Sequence, residues 1–172
     1  MFNAKRGNNH MNTWLIICLN LLLAFSFLPS EAKFQQSMSN IIDGDTVDIT
    51  TLNSYRLAGI DAPENDQSLG DKAQSRLKEI LESGELVGLW CMPKNDKYGR
   101  DICMITLNVQ GIKVDPAEEL LKEGLAEVEY ARFLPPASEA VYRIAQEEAQ
   151  KQKLGIWGLK DYVKPYDWRH RK

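Results

Sequence analysis

The sequence predicts a mainly β fold with α-helices: a small five-stranded β-barrel with three packed α-helices on its outside. Three observations carry this. Short runs of β-branched and aromatic residues, broken by Gly, Asp and Asn, fall within 40–60 and 86–109. Apolar residues recur at helical spacing within 67–83, 115–124 and 136–153. The resulting order is three strands, helix, two strands, helix, helix. The 172 residues suit one domain with extensions, and 44% apolar with 26% charged residues is ordinary globular composition.

In chain order, Lys5 and Arg6 precede an apolar run over 14–28, followed by Pro29-Ser30-Glu31-Ala32. A positive start, an apolar stretch and small residues at −3 and −1 predict a signal peptide over 1–32, cut after Ala32. An uncleaved anchor is the alternative, although the run is short beside the ~20 apolar residues of a membrane span. Both readings predict an exported protein, secreted or held in the periplasm or cell envelope. Losing 1–32 would remove Lys5, Arg6 and Glu31, so the mature chain would be more acidic than the −3 of the full sequence.

Residues 33–39 read as a polar lead-in to a domain over 38–158. Two short strands meet at Asp43-Gly44, a turn follows at 51–54, and a third strand runs over 55–60, where Gly59 suggests a bulge or close backbone approach. The first helix, 67–83, has an apolar stripe of Leu69, Ala73, Leu77, Ile80 and Leu81, and Gly84 stops it. Strands over 86–91 and 101–109 flank a polar connection. A turn at Gly111 leads to Asp115-Pro116, an N-cap with Pro in the first helical position. The segment 125–130 reads as extended. The third helix, from Pro136 to about 153, is expected to bury Ala137, Ala140, Val141, Ile144 and Ala145, with Trp157 folded onto the core. This order matches an OB-fold barrel. The basic aromatic tail, 159–172, shows no periodicity.

Cys91 and Cys103 flank the polar connection. In an oxidising compartment they are expected as a disulfide, with two buried free thiols as the alternative. Two cysteines with no nearby histidine make a poor zinc site.

The chemistry is constrained by what is missing. His10 and His170 lie in the leader and tail, which leaves the predicted core without a histidine base or a Ser-His triad. No glycine-rich phosphate loop is present. Four carboxylates, Asp43, Asp45, Asp61 and Glu64, cluster at strand ends. Oxygen donors without Cys or His select a hard ion such as Ca²⁺ or Mg²⁺; a solvated acidic turn is the competing reading. Arg56 precedes Asp61, and Arg100 ends Asp96-Lys97-Tyr98-Gly99-Arg100. Guanidinium groups match phosphate oxygens bidentately, so two of them beside a cation suit a phosphodiester. Arg100 alone would read as a surface charge on a hairpin.

Together Ile42-Asp43-Gly44-Asp45-Thr46, Arg56-Leu57, Ile60-Asp61-Ala62-Pro63-Glu64 and Asp96-Lys97-Tyr98-Gly99-Arg100 resemble the thermonuclease family, the staphylococcal-nuclease-like domain. Glu123-Gly124-Leu125-Ala126 with Tyr130, and Leu154-Gly155-Ile156-Trp157, extend the resemblance in the same order. It implies an OB barrel and a Ca²⁺-dependent nuclease acting on DNA and RNA, single strands preferred, as a monomer. It implies calcium on Asp45, Asp61 and the Ala62 backbone carbonyl, with Asp43 and Thr46 just behind. Arg56 and Arg100 would clamp the reacting phosphate, and Glu64 would position or activate water. Lys97 and Tyr98 would meet a neighbouring phosphate, and Tyr130 would face the nucleotide. The expected cut is at the 5′ P–O bond, leaving 3′-phosphates. Ala62 stands where some members have Thr, which removes a hydroxyl, and Arg132 where some have a second aromatic. The acidic balance predicts weaker, more salt-sensitive substrate capture than in basic members. A non-catalytic OB-type nucleic-acid-binding module and an envelope-tethered structural protein are the competing readings; the complete acid and arginine set favours the enzyme.

Overall fold

The computed structural model describes residues 40–48 and 54–171. The expected leader, the 33–39 lead-in and most of the turn at 51–54 lie outside the described residues. None of the described helices is long and apolar enough to cross a membrane.

The chain is mainly β with packed helices, an OB-type arrangement. Its main sheet has the order β1 (Asn40–Ile41), β2 (Thr46–Asp48), β3 (Ser54–Leu57), β6 (Asp101–Val109), β5 (Glu85–Cys91). Antiparallel pairing joins β1 to β2, β2 to β3 and β5 to β6, whereas β3 and β6 run parallel with Arg56 opposite Ile102. These five strands are the ones whose short alternating runs are visible in sequence.

Three additions were not predicted as strands of their own. The expected strand over 55–60 is broken, because Gly59 turns the chain at φ +81° and begins β4 (Ile60–Asp61). A Cβ at Gly59 would sit 2.5 Å from Leu134, so the close approach read from sequence is real. Strand β4 pairs with β8 (Glu127–Val128) in a separate two-stranded sheet that places Asp61 opposite Glu127. Strand β7 (Ile112–Val114) folds back on β6 through the Gln110-Gly111 turn.

Helix α1 (Gly70–Glu82) starts three residues later than expected, because Leu69 takes a left-handed conformation at its N-cap. Its Ala73, Leu77, Ile80 and Leu81 are buried as the spacing requires. Helix α2 (Pro116–Lys122) has the expected start: Asp115 caps it by accepting from the Ala117 N–H, and Pro116 occupies the first position.

Helix α3 (Pro136–Lys151) corrects the expected face. Tyr142, Ala145 and Ala149 are buried, whereas Val141 and Ile144 are 41% and 61% exposed and Ala137 and Ala140 face solvent. Both sets fit helical spacing. Tyr142 decides between them: its ring fills the core and its hydroxyl donates to Asp115 Oδ2 at 2.8 Å, tying α3 to the cap of α2. Near the end of the domain, Ile156 is fully buried and Trp157 only half-buried, edge-on to Tyr162. The tail, aperiodic by sequence, contains a short helix α4 (Pro165–Arg169).

Cys91 and Cys103 are directly opposed on β5 and β6 and form a disulfide. The bond closes the loop that carries Asp96–Arg100. Double replacement by serine should cost about 2–3 kcal/mol by releasing a short loop in the unfolded chain. Urea melts of the variant and the oxidised parent check this; equal midpoints would show that the antiparallel ladder suffices.

Candidate active site

The site begins at the turn between β1 and β2. Asp43 Oδ1 accepts from the Asp45 N–H at 3.0 Å, a local turn that aims Asp45 inward. Gly44 makes this possible: a Cβ there would lie 2.6 Å from Ala73 and 2.7 Å from Ala62, so only glycine lets the turn press against α1. Asp45 is 2% exposed and Asp61, on β4, is 0% exposed.

Buried carboxylates need compensating partners, and both have them. Arg56, on β3, puts Nη1 2.5 Å from Asp45 Oδ1 and Nη2 2.8 Å from Asp61 Oδ1, and Nη2 also donates to the Ile60 carbonyl. Asp45 further accepts from the Thr46 hydroxyl and from the Ala62 N–H, both at 2.9 Å. Thr46 in turn accepts from Arg100 Nη1 at 3.0 Å. Asp96 fixes Arg100 from behind, taking its Nε at 2.6 Å and its backbone N–H at 3.0 Å. Arg100, Thr46, Asp45, Arg56 and Asp61 therefore form one continuous hydrogen-bonded chain across three strands and a loop.

Burial pushes Asp45 up to about 6, against the opposing charge of Arg56. Burial acts on Asp61 too, but hydrogen bonds from Arg169 and the charge of Arg56 outweigh it and hold that carboxyl below the usual range.

Above this chain lies a cleft of about 520 Å³. Its walls include Asp43, Arg56, Glu64, Lys97, Arg100 and Tyr130. Tyr98 is 69% exposed at the rim, with Lys97 Nζ 4.9 Å and the Arg100 guanidinium 5.3 Å from its ring centre. Tyr130 is 53% exposed and stacks on Phe133, and the Arg132 guanidinium lies over both rings. The predicted set is thus brought to one cleft and the buried chain beneath it.

Residues 54–158 match the family model described as staphylococcal nuclease homologue. The chain belongs to this family. Among curated relatives of the family domain, a Haemophilus influenzae protein named as an uncharacterized endonuclease is 29% identical over 163 residues, covering 91% of this chain and 86% of its own. A Shigella flexneri micrococcal nuclease is 29% identical over 150 residues, 83% of this chain and 84% of that protein. An uncharacterized endonuclease of Escherichia coli O157:H7 is 30% identical over 155 residues, 88% and 95% of the two chains.

In this nuclease homologue, Glu129, Arg169 and His170 are among the cleft residues that were not read from sequence. Glu129 follows β8 and reaches within 4.0 Å of Arg56 Nη2; burial, then the charge of Asp61, pushes it up to about 7. Arg169, on α4, donates to both oxygens of Asp61, at 2.9 and 2.8 Å, and to Glu64 Oε1 at 2.6 Å. His170, set aside by sequence as a tail residue, also lines the cleft, with its Nδ1–H on the Tyr166 carbonyl at 2.7 Å. A basic aromatic composition was the only signal for the last two.

Asp45, Asp61, the Ala62 carbonyl and Glu64 offer oxygen donors alone, which fits a hard divalent cation such as Ca²⁺. The buried Asp61 carboxylate supports the fit, since it already takes positive charge on both oxygens. Among the described residues no three His, Cys, Asp or Glu side chains stand arranged around an ion-sized space. Arg169 bridges Asp61 and Glu64 instead.

Proposed function

We propose that this staphylococcal nuclease homologue is an exported, Ca²⁺-dependent nuclease that hydrolyses DNA and RNA, single strands preferred, as a monomer. The observation that supports this most is the convergence of Arg56, Arg100 and Glu64 on one cleft above the buried Asp45 and Asp61.

Calcium, when bound by Asp45, Asp61 and the Ala62 carbonyl, would supply positive charge beside the scissile phosphate. The chain supplies the rest. Arg100, oriented by Asp96 and Thr46, aims its guanidinium at the phosphoryl oxygens as charge builds on them. Arg56 keeps the two aspartates in place and adds its own charge from the cleft floor. Glu64 holds a water and takes its proton as the water oxygen bonds to phosphorus. The 5′ P–O bond breaks, the departing 5′ oxygen is protonated from solvent, and the 3′-phosphate stays with the other fragment. Lys97 and Tyr98 at the rim meet a neighbouring phosphate. Tyr130, with Phe133 and Arg132 beside it, offers stacking faces to a nucleotide.

Purified protein should degrade single-stranded DNA with Ca²⁺, stop on chelation, and yield fragments that become 5′-kinase substrates without phosphatase treatment and carry 3′-phosphates. Failure to cut DNA or RNA at any calcium concentration or pH would refute the assignment.

A further inference from the structure

The tail is docked along its length. The Tyr162 hydroxyl donates to Glu127 Oε2 at 3.2 Å, and Gln67 Nε2 donates to the Val163 carbonyl. Pro165 is buried. Trp168 Nε1 donates to Asp66 Oδ1 at 2.9 Å, and Arg171 lies over the Trp168 ring. These contacts deliver Arg169 to Asp61 and Glu64.

Arg169 cannot stay there when a cation binds the same oxygens. Its two terminal nitrogens use both oxygens of Asp61 and one of Glu64. A divalent ion on Asp61 would face that guanidinium at close range in a pocket that screens poorly. Arg56 also touches Asp61, but it is anchored in β3 with its side chain 15% exposed. Arg169 sits on a five-residue helix that buries only Pro165 and is otherwise held by polar contacts. Short elements held in this way open at low cost.

We propose that residues 160–171 are an autoinhibitory strap: Arg169, braced on Glu64, occupies the Asp61 oxygens that the cation needs, and the strap must lift for the metal to bind. The proposal rests on the calcium reading above and goes beyond it, because it makes the tail a regulator of metal affinity. The apparent affinity falls by the fraction of molecules with the strap open.

The test uses the full chain, stripped of metal and titrated with Ca²⁺ alone by calorimetry, alongside hydrogen exchange of the strap amides. Arg169→Ala should bind Ca²⁺ about tenfold tighter than the parent, as expected if the strap is open in about one molecule in ten. Trp168→Phe, which removes the indole hydrogen bond to Asp66 and shrinks the ring under Arg171, should shift affinity in the same direction by less. It carries the test if Arg169→Ala misfolds. In the parent, Ca²⁺ should speed exchange at the Trp168 amide, which donates to the Lys164 carbonyl when α4 is docked. Unchanged or weaker Ca²⁺ binding in the folded variants, or Ca²⁺ that leaves strap exchange unaltered, would overturn the strap while leaving the calcium site standing. No heat of Ca²⁺ binding in any of the proteins would overturn the calcium reading itself, and the strap with it.

Discussion

Arg56→Ala should destabilise the metal-free protein by about 3 kcal/mol, with the loss growing as pH rises. The guanidinium is the charged partner of Asp45, a carboxylate 2% exposed to solvent. Removing it leaves that charge with only the Thr46 hydroxyl and the Ala62 N–H. Asp61 suffers less, because Arg169 still serves both of its oxygens. The pH dependence follows from Asp45, raised by burial to about 6 even with Arg56 present. Without the arginine it climbs further. The native state then holds this proton more tightly than the unfolded chain, whose Asp titrates near 3.8. The stability gained by protonation is complete below that value and disappears as pH rises through the native one. The deficit of Arg56→Ala should therefore be small at pH 4 and largest near pH 8. Urea melts in chelator across that range measure it, and a deficit independent of pH would show that Asp45 is not the orphaned group.

Glu64→Gln should lower turnover by roughly 10²–10³-fold while KM changes by less than about threefold. Glutamine keeps an oxygen that can accept from Arg169 and preserves side-chain volume, so the fold and the strap contact survive. What it loses is the capacity to take a proton from water. Steady-state kinetics at saturating Ca²⁺ separate the two parameters. A large rise in KM with turnover intact would instead make Glu64 a substrate-binding residue.

The parts of the site written within short windows of sequence were readable there. Asp43-Gly44-Asp45 needs only its own turn and a close neighbour, and Asp96–Arg100 is a loop folded on itself. The Asp115-Pro116 start of α2 and the facing of α1 follow from local spacing in the same way. What stayed hidden depends on partners far along the chain. Nothing near Arg169 indicates that its partner is Asp61, 108 residues away. The β4–β8 pair consists of two-residue strands, too short to show alternation. On α3, alanines at helical spacing imitate a core stripe, and only the reach of Tyr142 to Asp115 selects the other face. Glu129 was hidden because a carboxylate at the end of a two-residue strand is an ordinary surface group until Asp61 and Arg56 arrive.

The parallel register between β3 and β6 has a consequence for when activity can exist. Arg56 and Arg100 reach one cleft because these two strands, separated in sequence by β4, α1 and β5, lie side by side. Such long-range pairing closes late, after the local turns and helices have formed. A chain still being synthesised holds the turn of Asp45 and the loop of Arg100 as separate fragments. The topology itself is a timing device: the cleft is complete only once the long-range pairing of β3 with β6 has closed.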